Sequence, residues 1–117
     1  MGKEFNSEEA KRFLLAKEEK EKKQWEKERK ILLEQSTKAL KKEFQGSGVE
    51  VYLVGSIVRP FAFSPRSDID IVLKNYKGDR FELWTKLEAD LGRKVEIIFF
   101  EKCHFQEFVL KEGFRVV

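Results

Sequence analysis

From Ser7 to Phe44 the chain holds neither proline nor glycine, and across "KEEKEKKQ", residues 17–24, it holds no apolar side chain either. A run of strong helix formers this long reads as one helix, or two joined end to end. No core accepts its middle. Ser7 provides an N-cap, Glu8 and Glu9 an acidic first turn, and Gly46-Ser47-Gly48 a stop. A continuous helix would be about 55 Å long at 1.5 Å per residue, more than a small domain needs. Glu18 with Lys22, Glu19 with Lys23 and Glu26 with Lys30 stand four residues apart in the favourable order. Each such pair contributes roughly 0.2–0.5 kcal/mol to a helix exposed to water. Apolar residues gather at the two ends. Leu32, Leu33, Ser36, Leu40 and Phe44 make a stripe that can lie on a sheet, whereas Phe13, Leu14 and Leu15 are cut off from it and must dock on another chain, a second copy or a partner.

From Val49 the period shortens. "VEVYLV" at 49–54, "SDIDIVLK" at 67–74 and "RKVEIIFF" at 93–100 read as buried strands. Between the last two, Asp79 caps a helix with Glu82 three residues on, an apolar stripe of Phe81, Trp84, Leu87 and Leu91, and a terminating Gly92. A shorter helix follows at 104–113, with Phe105, Phe108 and Val109 inward and Gly113 at its end. The order predicts an α+β fold: a small mixed sheet with helices on one face, preceded by a long N-terminal helix. Residues 1–48 form the charged helical extension and 49–117 the domain.

Composition narrows the function. The single cysteine, Cys103, excludes an intrachain disulfide and a multi-cysteine zinc site, which fits a reducing cytoplasm. No apolar run reaches membrane-spanning length, and the N-terminus lacks a signal-peptide core, so a soluble cytoplasmic protein is expected. Residues 1–48 carry 13 Lys and Arg against 10 Asp and Glu, while residues 49–117 balance at 11 against 11. So mild and mixed an excess argues only weakly for nucleic acid, which is not the expected partner.

The chemistry lies in "SPRSDIDIVLK", residues 64–74. Asp is among the residues strands least favour, yet Asp68 and Asp70 alternate with apolar residues and so project from one face, about 6.6–6.8 Å apart along the backbone. Two like charges so placed repel unless something offsets them. Upstream, the first strand runs into Gly55-Ser56, where a glycine allows close backbone approach and a hydroxyl is added at a turn suited to phosphate oxygens. With Arg59 and Arg66 between, the set offers donors for polyphosphate on one side and ligands for its metal on the other. Arg66 serves equally as a phosphate ligand or as a neutraliser of Asp68. Magnesium prefers hard oxygen ligands, commonly one or two carboxylates together with substrate phosphates. Phosphoryl or nucleotidyl transfer needs such a set.

The stretch "LVGSIVRPFAFSPRSDIDIVL", residues 53–73, with "LGRKVEIIFF" and the later "LKEG", resembles the minimal nucleotidyltransferases (MNT group) of the DNA-polymerase-β-like superfamily. The spacer is one residue longer than the commonest form, and Pro60 stands where glycine often does. The resemblance implies a nucleotidyltransferase fold and magnesium-dependent transfer of a nucleoside monophosphate, usually AMP from ATP, with two metal ions engaged. It implies that Gly55 and Ser56 contact the triphosphate, that Asp68 and Asp70 hold the metals, and that a third carboxylate falls on Glu96. Glu101, further along the same expected strand and on the opposite face, is the residue to be told apart from it. The resemblance further implies the antitoxin of a HEPN/MNT toxin–antitoxin pair, with a tyrosine of the HEPN partner as acceptor.

The competing reading is a binding module that masks a partner with long helix and sheet edge, its carboxylates inactive. A coiled-coil or nucleic-acid tether in residues 7–44 would concern the extension alone. His104 reads as a capping or surface residue, and Trp25 as a packing or partner contact. Phe61 and Phe63 read either as base-stacking or as rim and core.

Overall fold

The computed structural model describes residues 7–117. Helix α1 spans Ser7–Phe44 without a break, followed by strand β1, Glu50–Val54, a 3-10 turn at Gly55–Val58, strand β2, Ile69–Lys74, and helix α2, Arg80–Leu91. Strand β3, Val95–Phe99, a second 3-10 turn at Phe100–Lys102, helix α3, Gln106–Glu112, and strand β4, Phe114–Arg115, complete the chain. The sheet is mixed, in the order β3-β2-β1-β4. β1 runs antiparallel to β2 and β4, and β2 runs parallel to β3, the crossover being α2.

Alternation divides the sheet. Val51, Leu53, Ile69, Ile71, Leu73, Val95 and Ile97 point to one face and form the main core with Leu40 and Phe44 of α1 and Leu83, Leu87 and Leu91 of α2. The opposite face carries a smaller cluster of Tyr52, Val54, Val72, Phe100 and Val109, the last supplied by α3. α1 and α2 thus cover one face as expected, and α3 shields part of the other. The end of that second face nearest the start of β2 remains open, and the carboxylates lie there.

Helix α1, about 57 Å long at 1.5 Å per residue, supplies most of the molecule's long axis of 70 Å. Its C-terminal part joins the core through Ser36, Leu40 and Phe44, with Leu32 and Leu33 packed alongside. Residues 11–24 are exposed throughout. Phe13 is 70% exposed, and Leu14 and Leu15 are each 56% exposed. None of the described helices is long and apolar enough to cross a membrane.

Three expectations are corrected. Glu26, read as a solvated partner of Lys30, is instead buried with Arg29. In α2 the buried stripe is Leu83, Leu87 and Leu91, and Phe81 and Trp84 face outward. Both sets recur at three- and four-residue spacing, and only the position of β3 decides which faces the core. In α3 only Val109 is buried, while Phe105 and Phe108 are exposed, because this helix meets the sheet on a face already filled by Tyr52 and Phe100. β4, a two-residue strand pairing with Tyr52 and Leu53, carried no recognisable pattern.

Candidate active site

Where β1 ends, the chain must turn sharply past the neighbouring strand, and Gly55 is the residue that permits it. Its φ of +82° lies in the left-handed region, and a Cβ built there would fall 2.5 Å from Oδ2 of Asp70. The turn therefore closes directly onto that carboxylate, and only glycine fits. Ser56 follows, half-buried, its carbonyl accepting the Arg59 N–H at 3.3 Å.

Asp70 is flanked on both sides across the sheet, by Val54 of β1 and by Glu96 of β3 in the parallel register. Alternation places Asp70 and Glu96 on the open face. Asp68, expected inside the strand, precedes it by one residue and is exposed. Burial, the charge of Glu96, a hydrogen bond shared with Glu96 and the charge of Asp68 push the Asp70 carboxyl from 3.8 up to about 6. An acid so raised is one for which the fold supplies negative neighbours rather than a compensating cation.

The remaining predicted residues fall in two places. Arg59 is exposed and lines a cavity of about 690 Å³ with Gly55, to which α3 contributes a second cation, Lys111, and two carboxylates, Glu107 and Glu112. Lys111 was not singled out in the sequence, since α3 is placed beside the glycine turn only by tertiary packing. Arg66 lies elsewhere. With Asp68, Arg93 and Lys94 it lines a recess of about 410 Å³. Arg93 is the organiser of that side: Nη2 donates to the Ser64 carbonyl at 2.6 Å, Nε to the Ser67 carbonyl at 3.2 Å, and the guanidinium lies over the buried ring of Phe63. It thereby fixes the loop leading into Asp68. Phe63 is core, whereas Phe61 is exposed.

A groove of about 710 Å³ opens along the edge strand β3, lined by Asp68 and Glu96 at one end and by Phe81 and Trp84 of α2 along its wall. Edge strands expose backbone groups that invite pairing. Here Trp84 Nε1 donates to the Val95 carbonyl, Arg80 to the Ile97 carbonyl, and Glu88 accepts the Val95 N–H, each within 3.0 Å. α2 thus occupies these edge groups with its own side chains, which explains why Trp84 is turned away from the core.

Glu101 lies outside this arrangement. β3 ends at Phe99, so Glu101 sits in the following turn, where it accepts the Asn75 N–H at 3.0 Å. His104 is exposed, and the N-cap of α3 is Phe105, with no side-chain cap.

Among the described residues no three His, Cys, Asp or Glu side chains are close enough to enclose a metal ion unaided. The donor set nevertheless suits magnesium, which is typically held by one or two carboxylates and completed by water and substrate phosphate. The raised Asp70 carboxyl beside Glu96 and Asp68 is the concentration of negative charge that such an ion offsets.

Comparison with known proteins identifies a family and a similar fold. Residues 33–116 match the model of the nucleotidyltransferase domain family. No curated protein gives a match. A solved chain from a mutant of the toxin–antitoxin MntA-HpeT superposes with a TM-score of 0.53 at 22% identity, the alignment covering 68% of each chain.

Proposed function

Since the chain belongs to the nucleotidyltransferase domain family, we propose that it transfers AMP from ATP to a hydroxyl of a protein partner. The observation that carries this reading is the row formed across the sheet by the Gly55 turn, Asp70 and Glu96. Gly55, Ser56, Arg59 and Lys111 bind the triphosphate on the β1 side. Asp68 and Asp70, with Glu96 beside them, would hold magnesium together with the phosphates. Bound there, magnesium supplies neutralisation of the charge that develops on the phosphate oxygens.

The acceptor enters from the β3 side, where the groove reaches Glu96 and Asp68. Its hydroxyl oxygen attacks the α-phosphorus while Glu96, exposed at that edge, accepts the proton. The bond from the α-phosphorus to the oxygen bridging to the β-phosphate breaks, and pyrophosphate departs toward the Gly55 turn. The α2 side chains already hold the edge backbone groups of Val95 and Ile97, so the acceptor segment is gripped through side chains, Phe81 and Trp84 foremost.

The toxin–antitoxin setting of the superposed structure supports a toxin as the partner, and a HEPN-type protein with an acceptor tyrosine fits the chemistry. The exposed Phe13, Leu14 and Leu15 on the free end of α1 offer that partner, or a second copy, an apolar foothold. The same overhang favours the second reading, a module that masks its partner without chemistry.

Incubation with magnesium, the candidate partner and ATP labelled at either the α- or the γ-phosphate separates the two. Transfer predicts partner labelled from α-label alone. Masking predicts a stable complex with no label from either.

A further inference from the structure

Glu26 and Arg29 form a buried ion pair that the chemistry above does not use. They are only 7% and 6% exposed, on a helix whose preceding residues lie in water. An ion pair three residues apart stabilises a helix just as well on its surface, and burying two charges is costly unless further bonds satisfy them. The further bonds go to a loop distant in sequence. Arg29 donates through Nε and Nη2 to the Glu26 carboxylate and through Nη1 to the Ile57 carbonyl at 3.0 Å. Glu26 Oε2 accepts the Phe61 N–H at 2.6 Å. These bonds hold the Glu26 carboxyl down to about 2, so Glu26 stays charged throughout the neutral range.

Ile57 and Phe61 belong to the segment that presents Gly55, Ser56 and Arg59, one following Ser56 and the other two residues beyond Arg59. Phe61 has a φ of +62°, a left-handed conformation that a bulky residue rarely adopts, and its ring is 67% exposed. No burial of the ring compensates for that backbone. Two bonds hold it: the Ala62 N–H donates to the Arg59 carbonyl at 3.2 Å, closing a turn around Pro60 and Phe61, and the Glu26 carboxylate ties that turn to α1 through the Phe61 N–H.

We propose that Glu26 and Arg29 are positioning residues for nucleotide binding: from α1 they lock the segment 55–61 in the shape that receives the phosphates, which makes the long helix part of the active site. The proposal rests on the nucleotidyltransferase reading.

The test compares the full chain with its Glu26→Met/Arg29→Met double variant. Apolar replacements for both members of a buried ion pair are commonly neutral or stabilising, so this variant keeps the fold, whereas Arg29→Met alone strands a buried charge. In the ligand-free protein, the amides of Arg59 and Phe61 should exchange faster in the double variant, with those of Leu53 and Ile71 unchanged. Magnesium-ATP should bind about tenfold more weakly or worse, with KM for nucleotide rising by a similar factor and kcat moving less. Arg29→Lys, which keeps the charge but replaces the three-nitrogen fork with a single nitrogen, should fall between. Affinity that follows Phe61 protection rather than melting temperature across this series supports positioning. Unaltered exchange at Phe61, or a folded double variant that binds nucleotide as the wild type does, overturns the proposal alone. A wild type that binds no nucleotide, its Phe61 amide still protected, overturns the nucleotidyltransferase reading and the functional role built on it.

Discussion

Asp70 of β2 stands directly opposite Glu96 of β3 in the parallel register, and burial together with the charge of Glu96 raises the Asp70 carboxyl. Two carboxyl groups in that relationship cannot both ionise without cost, and the fold holds them there nonetheless. On the proposed reading, a bound cation would offset that cost.

The first prediction concerns that cost. The Asp70 carboxyl moves from 3.8 up to about 6 on folding, so between these values the folded state binds more protons than the unfolded. Its contribution to stability is therefore fully present below pH 3.8 and is lost as pH rises through about 6. Asp70→Asn removes the ionisation. Metal-free at neutral pH, it should be more stable than wild type by ~1 kcal/mol, less than a fully buried carboxylate would yield because Asp70 is only partly shielded from solvent. Urea unfolding at pH 5 and pH 7.5 checks this, and the gain should be larger at the higher pH.

Gly55→Ala tests the closeness of the turn to the acid. The new methyl would fall 2.5 Å from Asp70 Oδ2 on a backbone with φ +82°. The left-handed conformation alone costs about 1–2 kcal/mol for an L-residue. Thermal unfolding should show at least that loss, and nucleotide affinity should fall further than stability explains, since the methyl displaces the carboxylate itself. Alanine at Gly46, where a Cβ meets nothing within 4 Å, is the control for backbone strain without the clash.

Much of this architecture was legible in the residues. The three strands announced themselves as short apolar runs, and strand alternation put Asp70 on the face opposite Ile69 and Ile71, whereas Asp68 falls one residue before the strand, where that period no longer fixes its direction. Asp79 caps α2 as its spacing with Glu82 required, accepting the Glu82 N–H at 2.9 Å. What escaped depends on distance in space. Glu26 and Arg29 are indistinguishable in composition from their solvated neighbours until the loop at Ile57 and Phe61 is laid against them. Leu83 and Trp84 exchange roles once β3 needs its edge covered. Lys111 comes to line the cavity beside Gly55 only because α3 folds back there.

The overhang of α1 yields a separate expectation. Residues 11–24 are exposed, and the first buried side chain of the described helix is Glu26. Deleting residues 1–20 should leave the melting temperature nearly unchanged, within the ±0.5 kcal/mol typical of surface changes. Association with the partner or a second copy, followed by light scattering, should weaken. Burial of side chains such as Phe13 and Leu14 contributes roughly 1.5–3 kcal/mol each, enough to anchor a short interface. Unchanged association would leave these residues without a role in assembly.

The central claim, that Asp68, Asp70 and Glu96 form with the Gly55 turn a metal-dependent nucleotide site, is tested most directly by calorimetric titration of ATP into wild type and Asp70→Asn, with and without magnesium. Saturable binding is predicted for the wild type only when magnesium is present, and none for a folded Asp70→Asn under either condition. Equal ATP binding by the two proteins, or wild-type binding indifferent to magnesium, would contradict it.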